Sequence, residues 1–200
     1  MRMRATPALT LKPLLGLVVV ALVLATSARA ESMAVPAQMQ VPILMKVLAY
    51  DRQFDTKAGT ALTIGIIYTA SDPSSAKATD QISDTLYGFA GKTVRKVPVK
   101  YFQIEYTNVA DLEAFVKAKG VNVFYLAPGN DKALPAILKL SQARGITTLT
   151  GVPDYVKRGV SVGVGLSQDK PQILINLTSA RSEGSEFDAN LLRIAIVVGK

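Results

Sequence analysis

Residues 61–91 read ALTIGIIYTASDPSSAKATDQISDTLYGFAG, and this stretch contains the pattern from which the architecture can be predicted. Residues 61–68 form an apolar run rich in β-branched side chains, which is typical of a strand buried on both faces. A polar loop follows, and Ser74 or Ser75 is placed to cap a helix. Gly91 is predicted to end that helix in the left-handed conformation. The stretch therefore predicts a strand–loop–helix unit.

The same unit recurs further along the chain. Strands are predicted at 94–104, 121–126 and 146–150, and the helices between them are predicted to stop at Gly120 and Gly145. Strands that alternate with helices favour right-handed crossovers, so we expect a largely parallel sheet with helices on both faces.

The flanking segments complete the predicted domain. An amphipathic helix is predicted from Val41, with Pro42 in its first turn. Residues 159–166 and 172–176 flank a short polar loop, which predicts an antiparallel hairpin at the sheet edge. A closing helix is predicted to face the core with Leu191, Ile194, Ala195 and Val198. We therefore expect a single three-layer α/β domain over residues 40–200, with a mostly parallel sheet and a C-terminal antiparallel hairpin.

Residues 1–30 have the features of a secretory signal peptide. A basic beginning precedes the apolar run 14–24, which is shorter than the roughly 20 residues that a membrane-spanning helix needs. The small residues Ala28 and Ala30 predict cleavage after Ala30. We expect an exported, periplasmic protein in which residues 31–39 form a flexible lead-in.

The composition excludes several classes of function. The chain contains no cysteine and no histidine, which removes disulfides, thiol nucleophiles, the commonest general base and the commonest transition-metal ligand. The acidic residues are scattered over different predicted elements, so their spacing indicates neither a carboxylate pair nor a metal site. We therefore predict a protein that is not an enzyme and has no catalytic residue, metal site or cofactor.

The charge argues against a nucleic-acid partner. Residues 1–30 carry four basic residues and no acidic one, so removing them lowers the net charge from +8 to +4. The remaining basic residues are dispersed, and Arg95, Lys96 and Lys100 are the nearest to a cluster. Nucleic-acid binding requires a basic stripe, usually interleaved with aromatic residues. An acidic partner or a membrane surface is the secondary alternative for this charge.

Three predicted loops, residues 71–75, 127–131 and 150–154, are candidate binding sites, because ligands of open parallel sheets bind beyond the carboxyl ends of the strands. The candidate residues are Ser71, Ser74 and Ser75 in the first loop, Gly129 and Asn130 in the second, and Thr150, Gly151, Asp154 and the adjoining Tyr155 in the third. The alternative interpretation is that these residues form ordinary caps and turns, which every α/β domain has.

Two further patterns concern packing and contact surfaces. Residues 159–165 read GVSVGVG but do not lie between a strand and a helix, so they predict a strand with a bare face rather than a phosphate loop. Residues 50–52 and 153–155 each place a tyrosine beside a charge, a composition that is enriched at interfaces. A half-buried tyrosine beside a solvated charge is the alternative.

Three segments resemble the YfiR-like (DUF4154-type) family: VNVFYLAPG at 121–129, TLTGVPDYVKRGVSVGVGL at 148–166, and ILINLTSARSEGSEFDANLLRIA at 173–195. The last is the most specific, and its matching positions are Asn176, Leu177, Ala180, Leu191, Leu192 and Ala195. The resemblance implies a periplasmic α/β domain that self-associates and acts by binding. In the best-known members it holds the periplasmic region of an inner-membrane diguanylate cyclase inactive. Some members are redox-responsive through cysteines, which this chain lacks.

Two functions remain open from the sequence. The first is a non-catalytic periplasmic regulatory or interaction protein, whose partner is the periplasmic part of an inner-membrane signalling protein such as a diguanylate cyclase. The second is a periplasmic module that binds a small solute through the three loops and resembles one lobe of a binding protein. The two differ in whether the occupant of the site is a protein or a small molecule.

Overall fold

The computed structural model describes residues 32–89 and 91–199. The predicted signal peptide lies outside these described residues. Within them, no helix combines the length and the apolar character that crossing a bilayer requires.

The described chain alternates helices and strands, as the sequence pattern predicts. The helices are α1 (Ala37–Ala49), α2 (Phe54–Ala58), α3 (Pro73–Tyr87), α4 (Val109–Lys119), α5 (Leu134–Arg144), α6 (Pro153–Lys157), α7 (Leu177–Ser182) and α8 (Ala189–Ile194). The strands are β1 (Leu62–Tyr68), β2 (Thr93–Val94), β3 (Val97–Glu105), β4 (Val123–Leu126), β5 (Thr147–Thr150), β6 (Val162–Ser167), β7 (Lys170–Asn176) and β8 (Ile196–Val198).

These strands form one sheet in the order β2-β3-β1-β4-β5-β6-β7-β8. The central strands from β3 to β6 are parallel, whereas β6 and β7 form an antiparallel hairpin. The predicted mostly parallel sheet with a C-terminal hairpin is confirmed. After β1 the chain forms β3 on one side of β1 in the sheet, and it then crosses back to form β4 on the other side of β1. This reversal creates a switch point between β1 and β4, where the loops diverge and leave a crevice.

Helices cover both faces of the sheet and bury two apolar cores. The alternation of side chains along β1 divides them, since Ile64 and Ile66 point into one core and Ile67 points into the other. The first core also receives apolar residues from α1, α2, α3, α7 and α8. The second receives them from α4, α5 and α6. The three-layer prediction is therefore confirmed.

The closing segment differs from the prediction. Helix α8 ends at Ile194, and residues 196–198 form β8, an edge strand that pairs in parallel with β7. Of the predicted core-facing stripe, Leu191 is buried, but Ile194 is 65% exposed. The reason is local, because residues 196–198 are all β-branched and such side chains favour an extended backbone.

The beginning of the domain also differs from the expected boundary at residue 40. Helix α1 begins at Ala37, so Pro42 lies inside the helix rather than in its first turn. Val35 is buried, and the amide of Ala34 donates a hydrogen bond of 3.0 Å to the carbonyl oxygen of Gly151. Residues expected as a lead-in therefore contact the domain.

Two glycine predictions have different outcomes. Helix α3 is closed by Gly88, so the prediction that Gly91 ends it is wrong, although Gly91 does have a positive φ of 77°. The bare face of β6 is confirmed. A Cβ at Gly163 would collide with the side chain of Val156, so glycine is required there for α6 to pack against the strand.

A buried carboxylate joins the C-terminal part of the chain to the parallel sheet. Glu183, which follows α7, is fully buried and accepts hydrogen bonds from the Ser141 hydroxyl at 2.8 Å and the Thr148 amide at 2.9 Å. It also accepts from the hydroxyls of Thr148 and Ser161. These donors belong to α5, β5 and the residue before β6. Burial raises the pKa of the Glu183 carboxyl, and the hydrogen bonds oppose this only in part.

We predict that Glu183→Ala lowers the free energy of unfolding by about 3 kcal/mol, because it removes the acceptor of the buried Thr148 amide and of the Thr148 and Ser161 hydroxyls. The Ser141 hydroxyl can still donate to the Leu138 carbonyl oxygen. Glu183→Gln should lower the free energy of unfolding by less than about half of that amount, since its amide oxygen still accepts from Thr148 and the hydroxyls can reorient. Chemical denaturation measures both. Glu186→Gln, at an exposed acid nearby, is the control and should stay within about 0.5 kcal/mol of wild type.

The raised pKa of Glu183 also determines whether the stability of the fold rises or falls with pH. Its stabilising contribution is fully present below the ordinary glutamate pKa of about 4.3 and is lost as the pH rises through the higher pKa of the folded state. The stability of wild type relative to Glu183→Gln should therefore fall as the pH is raised from about 4.3. If the stability of wild type relative to Glu183→Gln rose with pH, this account would be wrong.

Candidate functional site

A crevice of about 470 Å³ opens at the switch point, beyond the carboxyl ends of β1, β3 and β4. It is lined by residues of the three loops that follow these strands: Thr69, Ser71, Asp72, Tyr106, Gly129, Asp131, Lys132 and Ala133. The crevice therefore lies where the topology of a parallel sheet favours ligand binding.

The loop after β4 is held rigidly below the crevice by Asn130. Its buried side-chain amide donates to the carbonyl oxygens of Ile67 at 3.0 Å and Ala127 at 2.8 Å. Its backbone amide donates to the Tyr155 hydroxyl at 2.8 Å, and Thr69 donates through its hydroxyl to the Gly129 carbonyl at 3.0 Å. These bonds tie the loops after β1 and β4 to each other and to α6.

Asp72 occupies the N-terminus of α3. Its Oδ1 accepts from the amides of Ser74 at 2.8 Å and Ser75 at 3.2 Å, and from the Ser74 hydroxyl at 2.7 Å. These hydrogen bonds, led by that of the Ser74 hydroxyl, lower the pKa of the Asp72 carboxyl, so the group is ionised at neutral pH. The amides that could receive an anionic ligand are thus satisfied within the chain.

Glycine at position 129 allows the two loops to approach each other. Gly129 has a φ of 80°, and a Cβ built there would lie 2.5 Å from Oδ2 of Asp72. Both the backbone conformation and the space therefore require glycine.

The remaining charges of the crevice lie on the loop before α5. Asp131 is paired with the guanidinium of Arg158, which also donates to the Asp131 carbonyl oxygen at 3.1 Å. Lys132 is exposed at the rim, and Tyr106 is half-buried on the opposite side. The lining thus combines an ionised carboxylate, an ion pair, an exposed ammonium group and an aromatic ring.

The structure brings the first two predicted loops together. Ser71 and Gly129 line the crevice, while Ser74 and Ser75 bind Asp72 and Asn130 fixes the loop from below. The prediction that Ser74 or Ser75 caps α3 is wrong, because Asp72 is the capping residue. A binding role for these residues stays a prediction.

The third predicted loop does not line the crevice. Thr150 is buried and donates to the Leu126 carbonyl at 2.9 Å, and Gly151 packs beneath Gln40. Asp154 and Tyr155 lie within α6, where Tyr155 is buried and Asp154 is exposed. The third loop therefore supports its neighbours, and any contact that it makes with a partner stays a prediction.

Sequence reasoning located two of the loops but not most of the residues that line the crevice. Asp72 and Asp131 lie within the first two predicted loops without being among the candidate residues, and the predicted loops do not include Thr69, Tyr106, Lys132 or Ala133. Asp72 could have been found, because an aspartate directly before a proline at the end of a strand is a capping signal. Tyr106 carries no such signal, since only the crossover places the end of β3 beside β1. Within the part of the chain that the structure describes, no group of three or more potential metal ligands is close enough to hold a metal ion.

Comparisons with known proteins bear on the family and the fold. A family model described as YfiR/HmsC-like matches residues 37–196. A comparison with curated proteins gives no match.

Three solved structures are similar in fold. A conserved domain protein from Vibrio cholerae O1 biovar El Tor gives a TM-score of 0.60 at 13% identity, covering 82% of this chain and 60% of that one. An ABC domain in complex with L-Trp from Streptococcus pneumonia gives a TM-score of 0.54 at 15% identity, and the match covers 82% of this chain and 60% of that one. A ligand-free, open substrate-binding protein with adhesive properties from Clostridium difficile gives a TM-score of 0.51 at 16% identity, and the match covers 74% of this chain and 58% of that one. The chain thus spans at most 60% of their lengths, and such identities show the fold alone.

We predict that Gly129→Ala is more destabilising than Gly184→Ala. Both glycines have a positive φ, 80° and 74°, but a Cβ at Gly184 meets open space, whereas one at Gly129 meets Asp72. Gly184→Ala should therefore lower the free energy of unfolding by only about 1–2 kcal/mol, the cost of placing alanine in a left-handed conformation. Gly129→Ala should cost at least about 1 kcal/mol more, because the two loops must separate. Denaturant unfolding of both variants measures this, and equal losses would refute the close approach.

Proposed function

This chain belongs to the YfiR/HmsC-like family, and on that premise we propose that it is a non-catalytic periplasmic regulator that binds the exported part of an inner-membrane signalling protein. The family match over residues 37–196 carries the proposal, since it spans nearly all of the described domain. The absence of cysteine and histidine from the sequence supports it. The finer form of the proposal is repression of a membrane-bound diguanylate cyclase.

Deletion of the gene in the native host tests this function. We expect cellular cyclic-di-GMP to rise, because the cyclase loses its repressor, and to return to normal when the full chain is supplied. A copy that lacks residues 2–30 is the control, since it is made without the predicted signal peptide and should not restore repression. Unchanged cyclic-di-GMP after deletion would refute cyclase repression.

The switch-point crevice supports a second function, the binding of a small solute. A volume of about 470 Å³ falls within the range of small-molecule sites. At Asp72 its chemistry favours an organic ammonium group over an anion, because Asp72 already satisfies the amides of α3 and supplies a negative charge, while the Lys132 ammonium group lies on a different loop of the lining. The ring of Tyr106 adds an aromatic face, which attracts cations. The fold likeness to a substrate-binding protein agrees with such a role.

Thermal unfolding with phenethylamine and with its anionic counterpart, phenylpropionate, tests this second function. We expect the amine to stabilise wild type, by about 2.7 kcal/mol at one hundred times its dissociation constant, and the anion to have no effect. Asp72→Asn is the matched variant, since asparagine caps a helix as well as aspartate but carries no charge. It should fold normally and lose the response to the amine. An equal response in Asp72→Asn would contradict the assignment.

A further inference from the structure

A second open surface lies at the opposite end of α3 from the crevice. It is an apolar groove of about 280 Å³ between α1 and the segment that leads from α3 into β2. Its apolar lining is formed by Pro42, Met45, Ala49, Phe89 and Val94. We call it the α1–β2 groove. Since β2 is the terminal strand of the sheet, the groove lies at an edge of the domain.

The rim of the groove is basic. Lys46 and Arg95 line it directly, and Lys92 places its ammonium group 4.9 Å from the centre of the Phe89 ring. Arg95 is held in place, because its guanidinium pairs with Asp55 at 2.7 Å and donates to a backbone carbonyl oxygen on the same side. The exposed residue Lys96 adds a further positive charge to this segment.

Exposed large side chains extend the groove along α1. Met39 is 45% exposed and Tyr50 is 48% exposed. Met39, Lys46 and Tyr50 are separated by seven and four residues, so they lie on one face of the helix together with the groove. Methionine, tyrosine and arginine are the residue types enriched in the buried centres of protein interfaces. The composition of this face therefore matches a contact surface.

We propose that the α1–β2 groove binds an acidic peptide segment of the signalling partner, with a large apolar side chain of that segment inserted between α1 and β2. The complementary charge is carried by Lys46 and Lys92, since the charge of Arg95 is already paired with Asp55. A peptide is favoured over a lipid surface because the apolar residues form a concave groove rather than a protruding face. The proposal rests on the proposed regulatory function and names the surface that performs it.

A fluorescein-labelled peptide built from repeats of Glu-Glu-Phe-Leu is the probe, and the same repeat with lysine in place of glutamate is its control. Fluorescence anisotropy with the exported protein should show binding of the acidic peptide only. Lys46→Glu combined with Lys92→Glu should weaken that binding about tenfold, which corresponds to about 1.4 kcal/mol. Ala49→Trp should also weaken it, because the indole fills the groove without changing the charge.

Lys139→Glu combined with Lys157→Glu is the matched control. It makes the same change in net charge at exposed positions on α5 and α6, which cover the other face of the sheet. Binding of the acidic peptide should change less than about twofold, because distant surface charges are screened. Failure of the peptide to bind, or equal losses in the two double variants, overturns the proposal. Binding to phosphatidylglycerol vesicles without binding to the peptide also overturns it.

Complementation of the deletion strain separates this surface from the proposed function. If deletion raises cyclic-di-GMP and the Lys46→Glu, Lys92→Glu variant fails to restore repression, both proposals are supported. If that variant represses normally, the regulatory function stands and the α1–β2 groove is refuted. If deletion has no effect, cyclase repression is refuted, and the peptide measurement alone decides the surface.

Discussion

The fold depends on how the last third of the chain is attached to the parallel sheet. Strands β5 and β6 pair through only two residue positions, Leu149 with Val162 and Thr150 with Gly163. So short a ladder offers few backbone hydrogen bonds. The buried carboxylate of Glu183 reinforces it, because it bridges residues that directly precede the two paired segments. A buried hydrogen-bond network of this kind can be worth more than the sum of its separate bonds, but it is costly to leave with a partner missing.

The parallel arrangement separates the anchoring of the sheet from its open surface. The Glu183 network lies at the amino ends of β5 and β6, whereas the crevice lies at the carboxyl ends of β1, β3 and β4. Because neighbouring strands run in one direction, the loops that follow β1, β3 and β4 all lie at the carboxyl-end edge of the sheet. Asp72 and Gly129 can then shape that edge without disturbing the core.

Much of the fold could be predicted because strands and helices have different periods of hydrophobicity. The repeated strand–loop–helix unit, the hairpin and the bare face of β6 follow from such local patterns. The closing strand could not be predicted, since Leu191 and Ile194 fit a helical stripe and the β-branched run after them is too short to override it. The crevice was predicted only in part, because Tyr106 reaches it through the order of the strands, which no local pattern specifies.

Helix α3 connects the crevice to the α1–β2 groove. It begins at Asp72, in the crevice, and ends just before Phe89, in the α1–β2 groove. Its 15 residues span about 22 Å, and its buried face, which includes Ile82 and Leu86, is packed into the first core. The crevice and the α1–β2 groove therefore lie at opposite ends of one packed helix.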